Sequence, residues 1–347
     1  VCTVYVLGAG ASAGYKGSLI GEQSPVASNF FQKAAKVRHI HKIGSRSFGD
    51  EKITYHHLFN FINKFWGISE TELELSTLDM EEVLTLLHIE LEENPNEFLH
   101  NANQEYLLLM ALTFEKILYG ETCLYHLKIA KNLKPGDIII SFNYESLIDN
   151  ALLVTGTDRR NPLHWNLPDG YGIPCLPINN DYSSSEQSNV LLLKMHGSFN
   201  WLYCFHCHNL YSQIKLHENG YCFFNLPWRA SPCIKCGRPL NQVLIPPTQM
   251  KSYDAIPFIE KIWRQALMGL ARAKKIVVIG YSFPPTDFRS KWLFRKALSQ
   301  NNSLEKVIAV NHSVGPKKEI LLNMYKDIFK IEEIKTYKDI ADYTSSL

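Results

Sequence analysis

No stretch of this 347-residue chain approaches eighteen unbroken apolar residues, which excludes a membrane-spanning helix. Excess charge is also lacking: 36 Lys and Arg stand against 34 Asp and Glu, a net of +2. That leaves no electrostatic footprint for nucleic acid, and no direct nucleic-acid binding is expected. Glycine (19) and proline (16) are too few for a collagen-like or disordered chain. The Gly-Lys-Ser/Thr of a P-loop is missing. No charged region and cleavage site precede the first strand-like run, Thr3-Val-Tyr-Val-Leu7, so the expected compartment is the cytoplasm. The length exceeds one typical core and predicts either two domains or one large domain with a satellite.

What is present begins with cysteine. Four of the eight form two pairs, Cys204-Phe-His-Cys207 and Cys233-Ile-Lys-Cys236. Each C-x-x-C turn lets two thiolates converge, and two such turns supply the four sulfurs of a tetrahedral zinc at ~2.3 Å. Two disulfides would need an oxidising compartment, and a redox motif would need only one pair. The spacing therefore predicts a structural zinc held by Cys204, Cys207, Cys233 and Cys236, with His206, His208 and Cys222 as bystanders. Four protein ligands leave no open position for catalysis.

Five β-branched runs read as buried parallel strands: Thr3–Leu7, Asp137–Phe142, Val190–Met195, Lys275–Gly280 and Lys306–Val310. Helical faces lie between them. Met80, Val83, Leu84, Leu87 and Leu91 follow a Ser76-x-x-Asp79 cap signal. Tyr106 to Leu118, Phe258 to Leu270, Phe288-Trp292-Leu293-Ala297 and Ile320-Leu321-Met324-Ile328 continue the series. The expected fold class is α/β, a Rossmann-like parallel sheet with helices on both faces. A helical insertion spans residues 31–129 and a zinc-ribbon-type module residues 198–243. The nucleotide-binding domain takes 1–30, 130–197 and 244–347. Residues 161–177 and 179–189 read as loops.

Gly8-Ala9-Gly10-Ala11-Ser12 directly follows the first strand. Glycines there let backbone N–H groups approach a phosphate, with a helix N-terminus behind them. A dehydrogenase would show an acidic residue after a second strand ~20 positions on, and none follows. The loop thus predicts a bound dinucleotide without hydride transfer, with a tight strand-to-helix turn as the alternative reading. Ligands of open α/β sheets sit beyond the carboxyl ends of the strands. Those ends carry Asn143 and Glu145, His196, Gly280 and Ser282, and Asn311, with Asp149 one turn beyond Glu145. Each polar residue could instead serve as a cap, His196 as a buried structural histidine, and Asp149 as a helix-surface acid.

In this order the motifs resemble the sirtuin family: Gly8-Ala-Gly-Ala-Ser12, Asn143 after a strand, His196-Gly197, two Cys-x-x-Cys pairs, Gly280-Tyr-Ser282 and Val310-Asn311. The closer resemblance is to sirtuin-like NAD hydrolases of bacterial anti-phage defence, where Asn-Tyr-Asp follows the strand and His-Gly-Ser precedes a Trp, as in His196-Gly-Ser-Phe-Asn-Trp201. The chain departs from protein-deacylating sirtuins in lacking the Gly-Ile-Pro-Asp-Phe-Arg segment after the glycine loop. It also carries Glu145 where the pattern has Asp. The resemblance implies a Rossmann-type domain, a smaller zinc-plus-helical domain, and NAD as substrate in the cleft between them. It further implies Asn143 and His196 as catalytic residues, phosphate binding at Gly8, Ala9, Gly10 and Ser12, and Glu145, Gly280, Ser282 and Asn311 as further contacts. The activity implied is cleavage of NAD to nicotinamide and ADP-ribose, switched on by a protein partner or by self-assembly. A lysine deacylase or ADP-ribosyltransferase, and a non-enzymatic nucleotide sensor, are the alternatives.

Overall fold

The computed structural model describes residues 2–41, 55–156, 162–167, 169–178, 187–212, 215–216, 222–223, 232–245, 256–284 and 287–347. Its strands are β1 (Thr3–Leu7), β2 (Ile138–Ser141), β3 (Leu176–Pro177), β4 (Leu191–Lys194), β5 (Gly197–Tyr203), β6 (Leu210–Ser212), β7 (Lys215–Leu216), β8 (Cys222–Phe223), β9 (Asn241–Leu244), β10 (Lys275–Ile279), β11 (Lys306–Val310) and β12 (Ile334–Tyr337). Its helices are α1 (Ala9–Ala13), α2 (Phe30–His41), α3 (His56–Trp66), α4 (Met80–Glu93), α5 (Glu97–Leu118), α6 (Leu124–Asn132), α7 (Leu147–Gly156), α8 (Pro257–Arg272), α9 (Phe288–Leu298), α10 (Pro316–Phe329) and α11 (Ile340–Ser345).

Six strands pair in parallel in the order β12-β11-β10-β1-β2-β4. Succession along the chain places the first three outward from the centre in one direction and the last three in the other. This is the doubly wound order, and its switch point falls between β1 and β10. Val4 to Leu7 and Ile276 to Ile279 are all essentially buried, so both sheet faces are covered. Helices α6, α7 and α11 pack together, as do α8, α9 and α10. The alternation of β-branched strands with amphipathic helices leads to this layered α/β architecture.

All five expected strands form, β1 and β11 with the expected bounds and β2, β4 and β10 shortened by one residue at one or both ends. The sixth, β12, escaped the sequence because it is an edge strand. Its Lys335 and Thr336 are exposed, so no apolar run announces it. Helix α4 starts one turn later than the Ser76 signal suggests. Asp79 is the cap, its carboxylate accepting from the amides of Glu81 at 2.8 Å and Glu82 at 3.3 Å. Two helical faces are rotated from expectation. Phe288, Trp292 and Ile320 are exposed, and the buried faces are Ser290-Leu293-Phe294-Ala297 and Leu321-Tyr325-Ile328-Phe329. Several apolar residues adjoin in both segments, and packing against the sheet, not periodicity, chose among them.

Helices α2 to α5 build a second core around Phe30, Phe61, Leu84, Tyr106 and Phe114. Tyr15, Tyr144, Leu147 and Phe199 belong to it too and join it to the sheet. A four-stranded sheet, β3-β6-β5-β9, carries the cysteine pairs. Of the two expected loops, residues 161, 168 and 179–186 lie outside the described residues, and residues 176–177 form β3.

Candidate functional site

A cleft enclosing about 410 Å³ of empty space, open to solvent, lies between the carboxyl ends of β1 and β2 and the helical layer. Ala9 and Ser12 line it from α1, and Phe142, Asn143, Tyr144 and Glu145 from the loop after β2. Val26, Met80, Glu81 and Phe114 line it as well. Of the residues singled out in the sequence, Ala9, Ser12, Asn143 and Glu145 therefore share one site.

Asn143 is locked by its neighbours. Its Nδ2 donates to Gly8 O, Ser12 Oγ and Glu145 Oε1, each at 3.0 Å. A backbone carbonyl and a carboxylate can only accept, so chemistry settles which end of the amide faces them. The acceptor Oδ1 is the end left for the cleft. Ser12 Oγ in turn donates to Glu145 Oε1 at 2.5 Å, and Glu145 Oε2 accepts from the Leu147 amide at 2.5 Å, at the start of α7. Both carboxylate oxygens of Glu145 are thus engaged, joining α1, the Asn143 loop and the start of α7.

A second set of polar groups lies beneath this loop. Lys194, fully buried, donates to Glu145 O and stands 3.5 Å from Asp149 Oδ2. Asp149 Oδ1 accepts from Tyr171 OH at 2.5 Å, and Asn200 Nδ2 donates to both Tyr171 OH and Ser212 Oγ at 3.0 Å. Burial pushes the Asp149 carboxyl up, with Lys194 and Tyr171 pulling it back. Asp149 is therefore no helix-surface acid: it anchors the lysine that fixes the Asn143 loop. Nearby, His126 Nδ1 lies 3.1 Å from Cys123 Sγ. Burial alone would lower the His126 pKa, but the Cys123 sulfur as thiolate and the Glu145 and Asp149 carboxylates leave it raised.

His196 is placed differently from Asn143. It is 3 % exposed and does not line the cleft; the Phe142 and Tyr144 rings, centred 5.4 and 6.2 Å from it, belong to residues that do. Its Nε2 lies 3.2 Å from Oδ2 of the buried Asp287. Tyr281 OH donates to the same oxygen at 2.9 Å, and Tyr281 stacks on Phe142 at 4.0 Å between ring centroids. Sequence reading missed Asp287, whose only local signal is its position just before α9.

The glycine loop is tighter than a phosphate cradle requires. The amides of Gly8 and Gly10 donate to Ile279 O and Gly280 O, each at 3.0 Å. A Cβ on Gly10 would come within 2.7 Å of Gly280 Cα, and Gly280 itself holds φ = +63°. These glycines permit backbone contact at the switch point between β1 and β10. Ser282, exposed, and Asn311, half-buried, lie at the ends of β10 and β11 outside the cleft. Asn311 Oδ1 accepts from the Ser313 amide at 2.8 Å, as a turn residue does.

Sγ atoms of Cys204, Cys207, Cys233 and Cys236 all lie within 4.8 Å of one another. The pairs Cys204–Cys236 and Cys207–Cys233 are 3.5 and 3.4 Å apart, near the ~3.8 Å between sulfurs that tetrahedral zinc at ~2.3 Å implies. Both knuckles close alike: His208 N donates to Cys204 O and Gly237 N to Cys233 O, each at 2.8 Å. His208 (φ 56°) and Gly237 (φ 71°) both turn left-handed. Four converging thiols with matched knuckles fit a structural zinc. His208 Nδ1 faces Tyr203 OH at 2.8 Å and stays out of the cluster, and His206 is exposed. The Cys222 side chain lies outside the described residues.

No protein-family model matches the chain, and no curated protein matches it. Among solved structures it is similar to a Sir2 homologue in complex with NAD: 14% identity over 96% of this chain and 95% of that one, TM-score 0.42. A Sir2 protein bound to an inhibitor, 2′-O-acetyl-ADP-ribose and a deacetylated peptide shares 16% identity over 82% of this chain and 88% of that one, TM-score 0.40. A third Sir2 enzyme shares 15% identity over 83% and 85%, TM-score 0.41.

Proposed function

We propose that this protein is an NAD glycohydrolase that releases nicotinamide and leaves ADP-ribose. The observation that carries the reading is Asn143, pinned at the carboxyl end of β2 with its amide nitrogen committed to three acceptors. Cleavage of the nicotinamide–ribose bond sends the bonding pair to the ring nitrogen and leaves an oxocarbenium-like ribose. Water must then reach C1′ and lose a proton. Asn143 Oδ1, with two lone pairs, can accept from a ribose hydroxyl and from that water together. A neutral amide does so without trapping the cation. His196 takes the proton, its imidazole oriented by Asp287. His196 is buried and off the cleft, so in this reading NAD binding must open a path to it. Ala9 and Ser12 lie beside Asn143 to hold the dinucleotide, and Gly280, Ser282 and Asn311 extend its contacts along the sheet edge. The parts act as a Rossmann-like domain (1–30, 130–197, 244–347), a helical insertion (31–129) and a zinc module (198–243).

An unrestrained NAD hydrolase would deplete its own cell. The enclosed His196 supports a resting form that a protein partner or self-assembly activates, in keeping with a cytoplasmic effector of anti-phage defence. Among the described residues no helix is long and apolar enough to cross a membrane.

The test is to incubate purified protein with NAD, with and without an acetyl-lysine peptide, and identify the products. Nicotinamide with free ADP-ribose, independent of peptide, is expected. Acetylated ADP-ribose formed only with peptide would make the protein a deacylase, and intact NAD in tight complex would make it a sensor.

A further inference from the structure

The chain between α1 and α2 contributes Ser24, Pro25, Val26 and Ala27 to the cleft. This segment is held on both flanks of Ser24. Before it, the Leu19 amide donates to Tyr119 O at 3.0 Å, and Lys33 of α2 pairs with Glu22 at 2.5 Å. After it, the Val26 amide donates to Asn29 Oδ1 at 2.8 Å, and the Asn29 amide to Val26 O at 3.1 Å. Ser24 itself is 3 % exposed, and among the described residues its Oγ meets no hydrogen-bond partner. A buried hydroxyl without a partner destabilises the fold that holds it, and calls for an explanation in ligand binding. With the backbone fixed on both sides, rotation about one bond decides where that hydroxyl points. Among the described residues no Lys, Arg or His lines the cleft, whereas Glu81 and Glu145 do. Like charges repel, so the diphosphate of a dinucleotide is a poor occupant. The nicotinamide-riboside half suits it better, with neutral hydroxyls, a neutral carboxamide and a cationic ring. A serine hydroxyl both donates and accepts, and so can serve a ribose hydroxyl or a carboxamide.

We infer that Ser24 is a substrate-binding residue whose hydroxyl completes its hydrogen bonding on the nicotinamide-riboside half of the bound dinucleotide. This rests on the NAD-cleaving reading above and deepens it. The clamps on either side of Ser24 hold it in place beforehand, so the ligand has little ordering left to impose. The cleft is open to solvent, and the contact is one neutral hydrogen bond, not a strong charge interaction.

The experiment compares Ser24→Ala and Ser18→Ala with the wild type. Ser18 lies in the same segment but outside the cleft, and its Oγ likewise has no partner among the described residues. Calorimetry would use carbocyclic NAD, which cannot be cleaved, and ADP-ribose, which lacks nicotinamide. Thermal melting would be followed without ligand. Ser24→Ala is expected to weaken binding of carbocyclic NAD roughly threefold to tenfold, as loss of one neutral hydrogen bond does. Its unliganded form should melt no lower than the wild type, because the hydroxyl removed has no protein partner to strand. Ser18→Ala should keep the wild-type affinity. Weaker binding of both ligands to Ser24→Ala places the contact on the ribose, and weaker binding of carbocyclic NAD alone places it on the carboxamide. Unchanged affinity for both in Ser24→Ala overturns the inference and leaves NAD cleavage standing. An equal loss in Ser18→Ala also overturns it, since the segment as a whole would then be responsible. Failure of the wild type to bind either ligand overturns the NAD reading itself, and this inference with it.

Discussion

Asn143 both lines the cleft and ties its walls together. Asn143→Ala removes the donor from Gly8 O, Ser12 Oγ and Glu145 Oε1, so it should cost ~1–3 kcal/mol of stability as well as activity. His196→Ala separates the two effects better. If His196 is the base, nicotinamide release should fall roughly 10²–10⁴-fold with NAD affinity nearly unchanged. Product formation and thermal melting on one preparation decide the matter. Wild-type turnover with depressed melting would make His196 a core partner of Asp287 and nothing more. Gly10→Val is expected to lower the melting temperature, because the new side chain meets Gly280 Cα at 2.7 Å or less. A variant that melts like the wild type but loses NAD affinity would instead support direct phosphate contact at Gly10.

Helix α5 carries a testable pH dependence. Burial pushes the Glu115 carboxyl up to about 7, with Lys116 drawing it only partly back. Its folded-state pKa is above the unfolded value of 4.5, so the stability cost is absent below pH 4.5. The cost grows as pH rises from 4.5 to about 7, where the unfolded chain ionises first, and is constant above that. Glu115→Gln should therefore melt higher than the wild type at pH 8, by on the order of 2 kcal/mol, and alike at pH 4. Equal melting at both pH values would show that Glu115 is solvated.

Across the whole molecule, one buried polar chain joins the zinc module to the site. Ser212 on β6, Asn200 on β5, Tyr171, Asp149, Lys194 and the Glu145 carbonyl follow one another, and β5 and β6 flank Cys204 and Cys207. Lys194→Met strands the Asp149 carboxylate in the core and should cost ~3–5 kcal/mol. A much smaller loss in chemical denaturation would mean that Asp149 is protonated. Removing zinc with a chelator, or Cys207→Ser, should loosen β5 and β6, since structural zinc binding is folding free energy. Amide exchange would report it there first and then at the Asn143 loop. Faster exchange confined to the two knuckles would show that the chain does not transmit the change. Metal analysis of folded protein that finds no zinc would remove the basis for the expectation.

The sequence by itself determined five of the six sheet strands, the strand-end positions of Asn143 and His196, and the four-cysteine set. Each rests on local chemistry: β-branched runs, glycine after a strand, paired C-x-x-C turns. Glu145 and Asp149 were legible as polar residues past a strand, but not their roles, because their partners Ser12, Lys194 and Tyr171 lie far off in the chain. Asp287 offered only a helix-cap position before α9. Only the tertiary structure seated His196 against Asp287 and brought the helical layer to the cleft that Asn143 lines. Those relations depend on how the helical layer packs against the sheet, and packing between distant segments leaves no local pattern in the residues that make it.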